Sequence, residues 1–451
     1  MNDTIAAIST ALGVGAISII RISGKKALYI VNKIFKGKNL MSVPTHTIHY
    51  GHIIDNDKII DEVLVSVMKA PKSFTVEDIV EINCHGGIAT TNKILELLLI
   101  NGCRLAEPGE FTKRAFLNGR IDLLEAESVM DILKAKTEKT REIGINQLSG
   151  QVSEMIRNLR QKILEILANI EVNIDYPEYE DIEELTLNII NPKIIDIEKQ
   201  INKIIINSSN IKILKEGINV SIIGKPNVGK SSLLNLLLEE EKAIVTDIEG
   251  TTRDIVEGRV IIDNLIINFI DTAGIRETNN IIEKIGVDKS FAQIEKSDLI
   301  LFVLNNNEKI SQEEINLYEK IKDKNHIVII NKMDLPNKLE KNIFDNDTII
   351  DMCTKDNKGL EELKKAIKNI FNLDKIETND ITYLTNARSI AILKQCLPLI
   401  ENIRVGIENN LPIDIIEIDI KEIWNKLGLI IGETYEDELI NQLFSQFCLG
   451  K

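Results

Sequence analysis

The sequence predicts a multidomain α/β protein that also carries a large all-helical part. Three observations lead there. The chain has 451 residues, more than one hydrophobic core accommodates. Between about 216 and 374, apolar strands alternate with polar loops in the order of a nucleotide-binding sheet. Between about 119 and 215 glycine is sparse and apolar residues recur at three-and-four spacing, and the segment from about 375 to 451 reads as helical again.

Composition narrows the function classes. Asp and Glu number 69 against 54 Lys and Arg, a net charge of −15. Such a chain is no general polyanion binder, so contact with nucleic acid has to be local or shared with a partner. The start, Met1-Asn2-Asp3-Thr4, lacks the basic-then-apolar form of a signal peptide, and no apolar run reaches membrane-spanning length. The five cysteines (Cys84, Cys103, Cys353, Cys396, Cys448) are scattered without a C-x-x-C pair, against a disulfide framework or a zinc site. These readings predict a soluble, cytoplasmic protein with no membrane contact.

Residues 1–118 read as mixed α/β. Ala16 to Ile22 and Val63 to Val67 look like strands, and Ile88 to Leu99 a helix after Gly86-Gly87. His46, His49 and His52 would line up on a helix, but their surroundings are strand-like, which sets His49 opposite the other two and argues against a metal site. Cys84 and His85 adjoin on a strand and point apart, so a buried Cys beside a turn His is the favoured reading. The cluster Glu107-Pro108-Gly109-Glu110 precedes Phe111 to Phe116 as a turn.

In residues 119–215 the stripe Ile156, Leu159, Ile163, Ile166, Leu167, Ile170 predicts a helix with one buried face. The acidic run Asp175 to Glu184 around Pro177 reads as a solvated break, and Ile194 to Leu214 as a further helix.

Residues 216–374 carry the chemistry. Ile218 to Ile223 is a strand and Leu233 to Leu238 a helical run. Between them lies Gly224-Lys225-Pro226-Asn227-Val228-Gly229-Lys230-Ser231, followed by Ser232. This glycine loop lets backbone N–H groups close round phosphates, and the helix start adds its dipole. Lys230 reaches the outer phosphates, and Ser231 offers an oxygen to Mg²⁺. Thr246-Asp247-Ile248-Glu249-Gly250-Thr251-Thr252 supplies threonine hydroxyls, Thr252 as the second Mg²⁺ ligand. Asp271-Thr272-Ala273-Gly274 follows the strand Ile266 to Ile270; Asp271 can hold a Mg²⁺ water and the Gly274 N–H can sense the γ-phosphate. After the strand Ile327 to Ile330 comes Asn331-Lys332-Met333-Asp334. Asp334 can accept both N–H donors on the guanine edge, which adenine lacks, so GTP is selected over ATP. The last base-contacting loop aligns with Cys353-Thr354-Lys355, where such proteins usually read Ser-Ala-Lys. Five parts in this order between strands predict a G domain.

The hydrolytic machinery departs from that of Ras-like switches, which place Gln after the D-x-x-G element. Here Ile275 stands there and cannot orient water. Asn227 offers a carbonyl oxygen beside the β- and γ-phosphates, where a monovalent cation could supply the charge of an arginine finger. Glu283 reads, from its surroundings alone, as an exposed helix-start carboxylate.

Residues 375–451 include helical runs at Ala387 to Leu399 and Ile420 to Leu429 and the only Trp, Trp424. They read as the continuation of the first helical block, with the G domain inserted between. The last residues are Cys448-Leu449-Gly450-Lys451, and from the residues alone Cys448 reads as a small buried thiol on a frayed tail.

Several stretches resemble the tRNA-modifying GTPase MnmE (TrmE) family: Asp3 to Ala7, Ile20 to Gly24, Cys84 to Gly87, Glu107 to Leu123, the proline-acidic break, and the ending, Cys-Ile-Gly-Lys in the family. The resemblance implies an N-terminal α/β tetrahydrofolate-binding-like domain over 1–118 that pairs two subunits. It implies a helical domain over 119–215 and 375–451, and an inserted Ras-like P-loop G domain over 216–374. It matches Arg21, Glu81, Arg120 and Lys451 to folate-contacting positions, with Arg120 where the family commonly has Lys. From the residues alone Arg21, Glu81 and Arg120 are equally readable as solvated surface ions. The resemblance further implies K⁺ bound by Asn227 with oxygens of Thr246, Ile248 and Thr251, a water-orienting Glu283, and Cys448 as a thiol near the transferred one-carbon unit. The activity implied is a potassium-dependent GTPase driven by G-domain dimerisation. With an FAD-containing MnmG (GidA)-type protein, as a heterotetramer, it would add an aminomethyl or carboxymethylaminomethyl group at C5 of the wobble uridine of certain tRNAs. A 5-formyl- or methylene-tetrahydrofolate would be the one-carbon source. Two rivals are an Era-like ribosome-assembly GTPase, which would need a basic RNA-binding module not seen here, and a folate one-carbon protein with a regulatory G domain.

Overall fold

The computed structural model describes residues 3–175, 182–240, 256–270, 294–371, 380–434 and 437–451. They form two compact units: Met1–Leu133, Asn146–Ile197 and Ala391–Lys451 in the first, Lys134–Ile145 and Glu198–Ile390 in the second.

The first unit starts with a sheet of β1 (Ile5–Ile8), β2 (Ile17–Ser23), β3 (Phe35–Lys36), β4 (Thr47–Asp55), β5 (Lys58–Met68), β6 (Ile79–His85) and β7 (Arg104–Leu105), ordered β3-β4-β5-β6-β2-β1-β7. Alternation sets its register: Ile20 and Ile22 on β2, Val63, Val65 and Val67 on β5, and Val80, Ile82 and Cys84 on β6 share one core. The helices α1 (Ala27–Ile34) and α2 (Ile88–Ile100) bury Ile30, Val31, Ile94 and Leu98 in that core. The β4–β5 hairpin turns at Asn56-Asp57, whose φ values of 46° and 69° give the twist that antiparallel strands prefer.

Strand placement separates the neighbours noted in the sequence. Cys84 is buried and its thiol donates to the Ser18 carbonyl at 3.4 Å; burial pushes its pKa up. His85 faces out, and its hydrogen bond to Asp61, 2.8 Å long, raises its pKa. His49 Nε2 meets the Thr47 hydroxyl and His46 Nδ1 that of Thr45.

Next comes α3 (Glu110–Leu117), entered through Gly109 in the left-handed region. Arg114 on α3 is 1% exposed and reaches Asp3, Glu77 and Glu110, at 2.8, 3.1 and 2.9 Å. Arg104 reaches Asp3 and Glu110 as well. Burial alone would raise the Asp3 and Glu110 carboxyls, but the two guanidiniums outweigh it and hold both below the ordinary range.

The helical part follows with α4 (Leu123–Lys134), α5 (Glu138–Leu148), α6 (Gln151–Asp175) and α7 (Ile182–Glu216), which carries Pro192 within it. All six residues of the α6 stripe are buried, as its spacing predicts. Pro177 lies outside the described residues.

The second unit holds a sheet of β8 (Ile218–Ile223), β9 (Val256–Ile262), β10 (Leu265–Ile270), β11 (Leu299–Asn305), β12 (His326–Asn331) and β13 (Ile349–Asp351), ordered β13-β12-β11-β8-β10-β9. Only β9 is antiparallel to its neighbour; β11 is buried throughout, as a strand covered on both faces must be. Its helices among the described residues include α8 (Lys230–Glu240), α9 (Gln312–Ile321) and α10 (Leu360–Ile370).

The chain returns through α11 (Ala387–Glu408), α12 (Ile413–Ile431) and α13 (Asp437–Ser445). In the first unit α12 packs along α6, burying Ile416, Ile420, Ile423 and Leu427. Arg160 of α6 stacks 4.0 Å over the Trp424 ring and pairs with Glu433. Phe116, Leu123 and Met130 close a further cluster with Ile440, Phe444 and Phe447 of the last segment.

Candidate functional site

The phosphate loop leaves the C-terminal end of β8, between β11 and β10, where an open parallel sheet forms its crevice. Asn227 sits at φ +63° and is exposed; Val228 is buried. Gly229, at φ +107°, has no room for a side chain: a Cβ would lie 2.1 Å from Asn331 Nδ2. Lys230 opens α8 and folds its ammonium back onto the loop, donating to the Gly224 and Lys225 carbonyls at 2.8 and 2.6 Å. Desolvation lowers its pKa. Ser231 and Ser232 follow on the first turn of α8, where a hydroxyl suits a hard cation.

Asn331, at the end of β12, is 1% exposed and ties three loops together. Its Nδ2 donates to the Val228 carbonyl at 2.9 Å, and its Oδ1 accepts the Thr354 N–H at 3.2 Å. Lys332 Nζ donates to the Asn227 carbonyl at 2.7 Å, and the Met333 N–H to the Met352 carbonyl. The Cys353 thiol points at Asp334 Oδ1, 3.6 Å away, and at Asp356. The loop Cys353-Thr354-Lys355 therefore stands beside Asp334 and the phosphate loop. Thr246, Asp247, Ile248, Glu249, Gly250, Thr251, Thr252, Asp271, Thr272, Ala273, Gly274, Ile275 and Glu283 lie outside the described residues.

A second constellation lies in the first unit. Arg21 on β2 pairs with Glu81 on β6, Nε to Oε1 at 2.7 Å, because the two are directly opposite in the antiparallel register. The Arg21 guanidinium stands 5.9 Å from the Phe74 ring centre and 5.7 Å from that of Phe111, and Arg120 lies 4.8 Å from Phe74. Arg120 also borders a cleft of about 620 Å³ with His46, Lys72, Phe74 and Asn118.

The last residues reach this place. The Gly450 carbonyl accepts from Arg21 Nη1 at 3.3 Å and from the Ser9 hydroxyl at 3.2 Å. The Phe111 N–H donates to the Lys451 carbonyl and the Gly109 N–H to that of Cys448. A frayed tail is thus not what forms; the Cys448 side chain is exposed. Gly450 has φ +85°, and a Cβ there would lie 2.4 Å from the Ile8 carbonyl. Arg21, Glu81, Arg120 and the Cys448–Lys451 segment are gathered in one region, while Ser9, Phe74 and Phe111 are contributors that sequence reading missed. No spacing signal marks them, since register and tail docking bring them in.

Two family models match: the GTP-binding protein TrmE N-terminus over residues 4–120, and the MnmE helical domain over residues 123–448. A tRNA modification GTPase MnmE from Bacillus cytotoxicus is 53% identical over 455 residues, covering 100% of this chain and 99% of its own. One from Enterococcus faecalis is 52% identical over 457 residues, covering 100% and 98%. At that identity and coverage, the chain belongs to the tRNA modification GTPase MnmE family.

Proposed function

We propose that this chain binds and hydrolyses GTP and takes part in modifying tRNA, as its relatives are named for. Lys230 and the loop N–H groups hold the phosphates, Ser231 with Thr252 holds Mg²⁺, and Asp334 reads the guanine edge. The observation that carries this reading is Asn331, whose one buried amide braces the phosphate loop and the Thr354 loop at once. Such a brace makes phosphate and base recognition one rigid unit.

The finer reading follows the resemblance. The chain folds as 1–118, 119–215, 216–374 and 375–451, works in the cytoplasm, and pairs with a second copy. Asn227 takes K⁺ with Thr246, Ile248 and Thr251, and Glu283 orients water. The Asn227 backbone carbonyl accepts from Lys332, so its exposed side-chain oxygen, Oδ1, is the atom that suits an alkali ion. Around Arg21, the Phe74 ring beside two guanidiniums and a carboxylate suits a flat heterocycle bearing carboxylates, with Phe111 buried behind Arg21. A tetrahydrofolate derivative bound there would supply a one-carbon unit. Arg21, Glu81, Arg120 and Lys451 would hold it, with Cys448 near the transferred carbon. An FAD-containing MnmG-type partner would complete a heterotetramer acting at C5 of the wobble uridine. Among the described residues no helix is long and apolar enough to cross a membrane.

Nucleoside analysis of tRNA from cells lacking the chain tests the whole. Undermodified wobble uridines are expected, and full modification would refute it. GTP turnover in potassium and in sodium buffer tests the cation, with equal rates in the two buffers ruling it out.

A further inference from the structure

Lys225, the second residue of the phosphate loop, is held from outside the loop. Its ammonium meets Glu314 Oε2 at 3.2 Å, with the Lys225 side chain 24% exposed and that of Glu314 only 6%. Glu314 is the third residue of α9, and the same oxygen accepts from the Ser311 N–H and hydroxyl, each at 2.8 Å. The Glu314 N–H donates in turn to the Ser311 hydroxyl, which closes a capping box and locks the carboxylate in place. The carbonyl of Lys225 is one of the two that receive the Lys230 ammonium, at 2.6 Å. An unbroken line therefore runs from the start of α9 through Glu314 and Lys225 to the lysine that meets the outer phosphates.

We infer that Glu314 is a positioning residue for nucleotide binding, acting on the phosphate loop through Lys225. This rests on the GTPase reading above. A loop of this kind must hold its carbonyls outward and its N–H groups inward before the phosphates arrive, and a buried carboxylate on a capped helix is a rigid post for that purpose. Glu314 bonds Lys225 and Ser311, so any effect on a nucleotide runs through the loop. Its effect falls on how well the loop is formed beforehand, which alters affinity more than the hydrolytic step.

A double-mutant cycle on the full-length protein tests this. Glu314→Gln keeps a capping-box residue and removes the charge; Lys225→Met keeps the stem and removes the partner. Binding of GDP and of a non-hydrolysable GTP analogue, KM and kcat for GTP, and thermal stability are read for both singles and the double. Each single should weaken nucleotide binding and raise KM by about fivefold, the lower part of the range for contacting groups, with kcat little changed. The double should be no worse than either single. Additive losses, unchanged KM in either single, or a KM change that simply tracks lost thermal stability would overturn the inference. Wild-type protein that neither binds nor hydrolyses GTP would instead overturn the proposed function, so the two failures are distinguishable.

Discussion

Removing the Arg114 guanidinium should unfold the first unit more easily than any exposed charge deletion does. Arg114 is 1% exposed and faces three carboxylates, of which Glu110 is itself 3% exposed. Arg114→Ala leaves buried Glu110 with Arg104 as its remaining guanidinium partner and takes the cation from Glu77, which is 15% exposed. Breaking a buried pair in this way costs about 4 kcal/mol. Arg104→Ala is the control: Arg104 touches Asp3 and Glu110 too, but it is 43% exposed. Its loss should cost about 1 kcal/mol or less. With a denaturant slope of about 2 kcal/mol per molar, the Arg114 variant should melt roughly 2 M earlier in urea. Trp424 lies in the first unit and is the only Trp, so its fluorescence follows that unit while nucleotide binding follows the other. The acid limb gives a second check. The Asp3 and Glu110 carboxyls have folded-state pKa values below their ordinary 3.8 and 4.5. Their contribution is therefore full above those values and is lost as the pH falls through the folded-state ones. The wild type should lose stability steeply there and Arg114→Ala less so. An Arg114 variant no less stable than the Arg104 variant would refute the reasoning.

Two further outcomes are expected. Gly450→Ala places a Cβ 2.4 Å from the Ile8 carbonyl at a left-handed position, so the tail should leave its seat. Carboxypeptidase digestion of the variant should be faster, and digestion at the wild-type rate would show that the tail tolerates the clash. On the proposed reading Asp334 would accept two guanine donors, and Asp334→Asn would put there an amide that matches only one; GTP affinity should fall about 10- to 100-fold, measured by nucleotide titration.

The motifs that fold locally were the ones legible in the sequence. The strand–loop–helix at Ile218 to Glu240 and the stripe on α6 follow from spacing alone. So does the separation of Cys84 from His85. The hairpin turns Asn56-Asp57 and Asp263-Asn264, both at positive φ, carried a readable turn signal in their Asn and Asp pairs. What stayed hidden was set by distance along the chain. Arg21 meets Glu81 through strand register, and Arg114 meets Asp3 across 111 positions. Ser311 and Glu314 spell a capping box, but nothing in the sequence says that its carboxylate serves Lys225.

The cluster around Phe116, Leu123 and Met130 has a consequence for how the chain is made. Its missing wall comes from Ile440, Phe444 and Phe447, and nearby Lys113 bonds Asn441, 328 positions later. At ribosomal speeds of about 5–20 residues per second, that apolar surface waits roughly 15 to 65 s for its cover. Throughout that interval a nascent chain offers holdase chaperones a greasy, unfinished flank, and a whole inserted domain has time to mature before the opening one is sealed.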